Sequence, residues 1–174
     1  MSHDPDRKKI LQRMYLDPFF FAEVLFGDEK NHMHYHMRCA SPEFHKEIFN
    51  DLLKLEKGDK MAVVAPRGHA KTTLVSFIYP LHQMLFGEED FILLISESET
   101  QSKYLLEAIG SEIEYNKKVH EYFGNRMGET WGKEEKEVIT GFDEYGKPSG
   151  MCKVLIRGTG QKVRGLKYGP YRPT

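Results

Sequence analysis

Apolar residues return along this chain with two different spacings. Over residues 8–27 and 41–53 they recur every three or four positions, which is typical of helices that bury one face. Asp17 and Pro18 interrupt the first of these predicted helices, because proline favours a helix start over a helix interior. Ser41 is placed to cap the second.

Shorter apolar runs predict strands between the later helices. Residues 61–65 form the first such run, followed by a helical stretch over 71–86 that Gly87 ends. A second strand over 91–95 leads into a helix over 99–118, with Ser98 or Glu99 and Thr100 at its start. The order strand, loop, helix is typical of α/β proteins.

Two further candidate strands complete the pattern, over 137–140 and 151–157, with a turn region between them at 141–150.

The chain has 174 residues, 40% hydrophobic and 29% charged, which predicts one globular domain with a substantial hydrophobic core. No apolar run is long enough to span a bilayer. Two cysteines far apart predict neither a disulfide framework nor a zinc knuckle, so we expect a cytoplasmic protein.

Charge is unevenly distributed. The net charge is −1, yet residues 147–174 carry seven basic and no acidic residues, which leaves −8 for the rest. A basic segment on an acidic body favours a phosphate-rich partner, although a solvated surface fits the composition equally well.

The loop between the first strand and its helix has the chemistry of a phosphate-binding loop. The pattern Gly-x4-Gly-Lys-Ser/Thr uses backbone N–H groups, a lysine and a hydroxyl to hold phosphate and Mg²⁺. Lys71 and Thr72 fit it directly, whereas Ala65 and Ala70 replace its two glycines and Gly68 lies between them. A methyl group is tolerated where φ stays negative, so the alanines weaken the match without excluding it.

Arg67 lies inside this loop, where a guanidinium can reach a γ-phosphate. An exposed arginine and an ordinary helix start with a Lys-Thr pair are the simpler interpretations. They are disfavoured by the apolar run before the loop and by the absence of acids within it. His69 has no chemistry assigned from the sequence.

The loop and the segments around it resemble the large terminase subunits of tailed bacteriophages, the motors that pump DNA into procapsids. The similarity runs over about residues 17–174 and rests on an ordered set of segments. These are residues 42–49, the loop 66–73, residues 95–98 with Gln101, residues 122–124 with Trp131, and residues 158–165 and 171–173.

The resemblance implies a RecA-like P-loop ATPase domain, with a parallel sheet flanked by helices. Residues 1–56 would form an N-terminal helical segment carrying the adenine-side motif, and residues 57–174 a partial ATPase core, incomplete at its C-terminus. The Walker B acids and the nuclease domain of the family are absent from this sequence. We therefore expect a fragment that is weakly active or inactive as an ATPase alone.

The resemblance also implies roles for individual residues. Lys71 would neutralise the β- and γ-phosphates of ATP, Thr72 would ligate Mg²⁺, and Arg67 would act on the γ-phosphate. Arg164 would act on the ATP of a neighbouring subunit, and Arg157 and Arg172 lie close enough to compete for that role. The implied ATP-binding set is Phe44, His45, Pro66, Arg67, Gly68, His69, Ala70, Lys71, Thr72 and Thr73, with Phe44 and His45 facing the base.

The partners implied by the family are double-stranded DNA, a portal protein, a small terminase subunit and further copies of the chain in a ring, in the cytoplasm of the host cell. Two alternatives stay open. One is a docking domain that holds a phosphate of nucleic acid without hydrolysis, and the other is a different P-loop enzyme, helicase-like or kinase-like.

A cluster of histidines raises a metal site as a further alternative. His32, His34, His36 and His45 lie close in sequence, with Cys39 nearby. No acidic residue has the matching spacing, so surface or loop histidines are the favoured interpretation.

Overall fold

A computed structural model describes residues 5–27, 42–56 and 58–173. The helices are α1 (Pro5–Leu16), α2 (Pro18–Phe26), α3 (Glu43–Leu52), α4 (Lys71–Thr73), α5 (Tyr79–Phe86), α6 (Glu99–Tyr115) and α7 (Lys117–Phe123). The strands are β1 (Phe91–Ser96), β2 (Met127–Trp131), β3 (Glu135–Phe142) and β4 (Pro148–Gly158). His32, His34, His36, Cys39 and Ser41 lie outside the described residues.

The predicted interruption of the N-terminal helix is confirmed at Asp17 and Pro18. The Asp17 carboxylate accepts hydrogen bonds from the backbone N–H groups of Phe19 and Phe20, both at 3.0 Å. This caps α2, while Pro18 occupies a first-turn position that needs no N–H donor. The chain therefore ends one helix and starts the next within a single residue.

The predicted helix over residues 71–86 is also confirmed, with one feature that the pattern did not indicate. Leu74–Ile78 is π-helical and joins α4 to α5. Pro80 in the next turn has no N–H to donate and its ring crowds the carbonyl four residues earlier, which explains a wider turn here. Gly87 ends the helix at φ 76°, a left-handed conformation that favours glycine.

The sheet is mixed, with the strand order β1-β4-β3-β2. β1 and β4 are parallel, from Phe91 opposite Lys153 to Ser96 opposite Gly158. The other two pairs are antiparallel, so the α/β class is confirmed but the expectation of a parallel sheet is wrong for most of it. The physical reason is the short turn after β3, where Asp143 accepts two backbone hydrogen bonds and returns the chain alongside itself.

The strand predicted over residues 61–65 is a further correction. These residues lie outside regular secondary structure, and they have no β-ladder partner within the part of the chain that the structure describes. Their side chains alternate between half-buried and exposed, and Val64 is 93% exposed. A short apolar run becomes a strand only where another backbone satisfies its hydrogen bonds, and no described segment does so.

One continuous core joins the helices to the sheet. Phe21 and Phe49 come from the N-terminal helices, Leu81 and Ile109 from α5 and α6, and Val154 from the centre of the sheet. All five are at most 1% exposed. Among the described helices, none has the length and apolar character needed to cross a membrane.

Candidate nucleotide-binding loop

The loop before α4 has an unusual backbone. Ala70 adopts φ 53° and ψ 18°, and among the described residues it is the only non-glycine residue with a positive φ. The left-handed region costs a residue with a Cβ about 1–2 kcal/mol. The assumption that an alanine here keeps negative φ is therefore wrong: the backbone takes the conformation that favours glycine although the residue is alanine. Strain of this kind concentrates at functional sites.

Lys71 folds back over the loop. Its Nζ donates hydrogen bonds to the backbone carbonyls of Ala65 and Pro66, the second at 2.7 Å. Its only hydrogen-bond partners among the described residues are neutral carbonyl oxygens, and no carboxylate pairs with it there. The ammonium therefore brings a positive charge to the loop that no described acid neutralises.

Arg67 and Thr72 both face solvent at this loop. Their side chains form no hydrogen bond or ion pair with any described residue. Gly68 lies beside Arg67 at φ 85°, where a side chain would be strained. Together with Lys71, these side chains place two cations and one hydroxyl within the six residues 67–72.

Helix α3 packs against this loop through Phe44 and His45. The Phe44 ring lies 5.6 Å from the ring of His69, centroid to centroid. The Nε2 of His45 lies 3.3 Å from the carbonyl oxygen of His69, and His69 Nδ1 lies 3.2 Å from the carbonyl oxygen of Arg67. The structure therefore brings together the two segments to which the terminase resemblance gives the base and the phosphates of ATP.

These contacts fix the hydrogen positions on both rings. A carbonyl oxygen can only accept, so His45 donates through Nε2–H and His69 through Nδ1–H. His45 is only 7% exposed, and its Nδ1 is buried with no hydrogen-bond partner among the described residues. The sequence assigned His69 no chemistry of its own and gave no signal that its carbonyl would join the loop to α3.

Arg164 lies in the exposed segment that follows β4. That segment is attached to the end of β1, where Thr159 Oγ1 donates to the carbonyl of Glu97 at 3.0 Å. Gln161 completes the attachment, accepting from the backbone N–H of Gly158 and donating to the Glu99 carboxylate at 2.7 Å. No hydrogen bond or ion pair joins Arg164 to residues 65–73 in the described structure.

A side-chain hydrogen bond joins helix α6 to the end of the parallel β1 and β4 pair. Ser98, one of the two predicted starts of this helix, caps α6 by accepting from the backbone N–H of Gln101 at 3.2 Å. Ser102 Oγ donates to the Arg157 carbonyl at 2.8 Å and so fastens α6 to the end of β4. The carboxyl ends of parallel strands are where open α/β sheets bind ligands.

Metal ligands are not grouped in the described part of the chain. Across residues 5–27, 42–56 and 58–173, no three His, Cys, Asp or Glu side chains are placed to hold one ion. Of the four histidines considered as ligands, only His45 is described, and it contacts the loop backbone.

No protein-family model matches this chain, and no curated protein matches it.

Proposed function

We propose that this chain is the ATPase part of a viral DNA-packaging motor of the large terminase type, and that the loop over residues 65–73 binds the triphosphate of ATP. The observation that carries the proposal is the backbone of Ala70, held left-handed directly before Lys71. A strained turn opening a helix is the arrangement in which backbone N–H groups and a lysine bind phosphate. We propose a RecA-like P-loop fold for the domain that carries this loop.

The charge of the loop fits an anionic ligand. The Lys71 ammonium is held by two carbonyls and Arg67 extends into solvent, and no described acid pairs with either. A bound triphosphate would give both cations a charged partner, a stronger interaction than a carbonyl provides. Thr72 is exposed at the start of the helix and would ligate the Mg²⁺ that accompanies ATP.

Each residue then has one task. Lys71 would leave the loop carbonyls to contact the β- and γ-phosphates. Arg67 would contact the γ-phosphate, whose charge distribution changes during phosphoryl transfer. Bound MgATP would supply the phosphoryl group that is transferred to water. Phe44, beside the loop on α3, would provide an apolar wall for the base.

The remaining assignments rest on the terminase resemblance. Arg164 is exposed in a segment anchored at the sheet edge, from which it would reach the ATP of a neighbouring copy in a ring. Double-stranded DNA, a portal protein and a small terminase subunit would be the other partners, in the host cytoplasm. We expect this chain alone to bind MgATP with slow or no turnover.

Thermal unfolding with and without MgATP tests the proposed site. Ligand at 100 times its dissociation constant stabilises a folded protein by about 2.7 kcal/mol, which raises the unfolding temperature by several degrees. The Lys71→Ala variant is expected to lose this protection, while Lys147→Ala, an exposed lysine on the β3–β4 turn, keeps it. If MgATP protects the Lys71→Ala variant as much as the unaltered protein, this loop does not bind MgATP.

A second candidate function is a docking domain that binds nucleic acid without hydrolysis. It is favoured by four exposed basic residues after β4, with no acid among residues 159–173: Lys162, Arg164, Lys167 and Arg172. Binding through these residues should weaken steeply with salt, because it releases counterions from the phosphate backbone. Salt-sensitive DNA binding without any protection by MgATP would favour this candidate over the ATPase.

A further inference from the structure

We infer that His45 is a positioning residue for the phosphate loop, acting through the carbonyl of His69 on the strained turn at Ala70. The inference deepens the proposed function and rests on it for its ligand, MgATP. It gives His45 a different task from facing the base. The main support for this role is the 3.3 Å contact from His45 Nε2 to the His69 carbonyl oxygen.

The contact controls the orientation of one peptide group. The His69 carbonyl belongs to the peptide that ends at the Ala70 nitrogen, and no described peptide bond is cis. In a trans peptide, C=O and N–H point in opposite directions. When His45 holds the His69 oxygen against α3, the Ala70 N–H is directed away from α3, so one donor of the loop is set by a side chain 24 residues earlier.

The position of this contact explains how the strained turn persists. A non-glycine residue stays in the left-handed region only where its surroundings impose that conformation. The peptide before Ala70 is held by His45, and Lys71 directly after it is held by the carbonyls of Ala65 and Pro66. The turn is thus fixed on both sides, and the N-terminal constraint comes from α3.

Burial makes the His45 side chain a fixed support. The ring is 7% exposed, lies 4.4 Å from the Phe44 ring and sits on α3, whose Phe49 is part of the core. Its Nδ1 atom is buried without a partner among the described residues, which is unfavourable for folding. If position 45 served only for packing, phenylalanine would fill it without the cost of an unpartnered Nδ1. The N–H at Nε2 is what histidine provides there and phenylalanine does not.

The closing experiment separates positioning from packing with two substitutions. His45→Phe keeps an aromatic ring and removes the donor together with the unpartnered nitrogen, so the unfolding temperature should change little. Its affinity for MgATP should fall by about fivefold, the effect of one net hydrogen bond. His45→Gln restores an N–H donor and should bind within about twofold of the unaltered protein.

His82→Gln is the matched control. His82 is also a buried histidine that contacts backbone carbonyls, those of Met14 and Tyr15, but it lies between α1 and α5. Its substitution should lower the unfolding temperature and leave MgATP affinity unchanged when binding is measured on folded protein. Unchanged affinity in His45→Phe, or equal losses in His45→Phe and His82→Gln, would overturn the inference.

A measurement without ligand distinguishes this inference from the proposed function. Hydrogen exchange at the Ala70 and Lys71 amides should accelerate in His45→Phe and return to the original rate in His45→Gln. If the unaltered protein binds no MgATP but shows this exchange pattern, the ATPase proposal fails and the positioning role stands. If exchange at both amides is the same in all three proteins, the positioning role fails whether or not MgATP binds.

Discussion

Two short segments of this chain are similarly apolar and have different structures. Phe91–Ser96 is strand β1, which pairs along its length with β4 and has three of its six residues buried. Residues 61–65 have a comparable apolar content, yet they are unpaired within the described structure and expose Val64 almost completely. Apolar content therefore predicts burial only when the fold supplies a neighbouring backbone.

The two segments also lead into helices that begin differently. β1 is joined to α6 through the Ser98 cap, an arrangement that satisfies the helix start by ordinary chemistry. Residues 61–65 lead into a strained turn at Ala70 and a helix with no side-chain cap. The start of α6 is stabilised by a side-chain cap, whereas the loop before α4 keeps two cations without a described acidic partner and a left-handed alanine, features expected where a ligand binds.

The largest expected effect tests the contrast between the two segments directly. Leu94 in β1 is 8% exposed and belongs to the core, so Leu94→Ala should lower the free energy of unfolding by about 2–4 kcal/mol. Val64→Ala removes apolar atoms that already face water and should change it by less than about 0.5 kcal/mol. Urea unfolding of both variants measures the difference. Comparable losses would show that residues 61–65 are packed as β1 is.

A second prediction concerns the buried region at acid pH. Burial lowers the pKa of His82, against smaller opposing effects from the Met14 and Tyr15 carbonyls and from Glu88 and Asp17. The unfolded chain then takes up a proton first as the pH falls below about 6.5, so the free energy of unfolding decreases there and levels off below the folded-state pKa.

His82→Gln isolates that contribution. The free energy of unfolding of the variant should be about 1–3 kcal/mol lower at neutral pH, because the Gln side chain does not refill the space of a ring that packs against Phe21 and Phe86. Because Gln does not titrate, its stability should also depend less on pH below about 6.5. Unfolding by urea at a series of pH values provides both quantities. Parallel pH profiles for the two proteins would mean that His82 does not titrate differently in the folded state.

Local signals in the sequence predicted several helix boundaries of the buried region, but neither the break between α6 and α7 nor strand β2. Asp17, Pro18, Gly87 and Ser98 act within a few residues of their own positions, so the helix boundaries they set can be inferred from sequence. The β3–β4 hairpin was equally accessible, because its turn is local.

The conformation of the candidate loop depends on contacts between residues that are distant in sequence, which local signals do not show. Its motif identified Lys71 and Thr72, but not the contact between His45 and the His69 carbonyl, which joins residues 24 positions apart. The positive φ of Ala70 ran against the intrinsic preference of alanine. Whether residues 61–65 pair with a strand likewise depends on which backbones the fold brings together.

The smallest expected effect concerns the strained turn itself. Ala70→Gly should raise the free energy of unfolding by up to about 1 kcal/mol, because glycine adopts positive φ without the steric cost. Ala62→Gly is the matched control: Ala62 is exposed and does not have positive φ, so the added freedom of the unfolded chain should lower stability by about 0.4–1 kcal/mol. Changes of the same sign in both variants would contradict strain at Ala70.

An NMR titration of the backbone amides with Mg²⁺ and inorganic tripolyphosphate tests most directly whether residues 65–73 bind a triphosphate. If they do, we expect saturable chemical-shift changes concentrated at Gly68, Ala70, Lys71 and Thr72, which disappear in the Lys71→Ala variant. Shifts confined to the basic residues after β4, or no saturable shift in the loop, would contradict triphosphate binding by these residues.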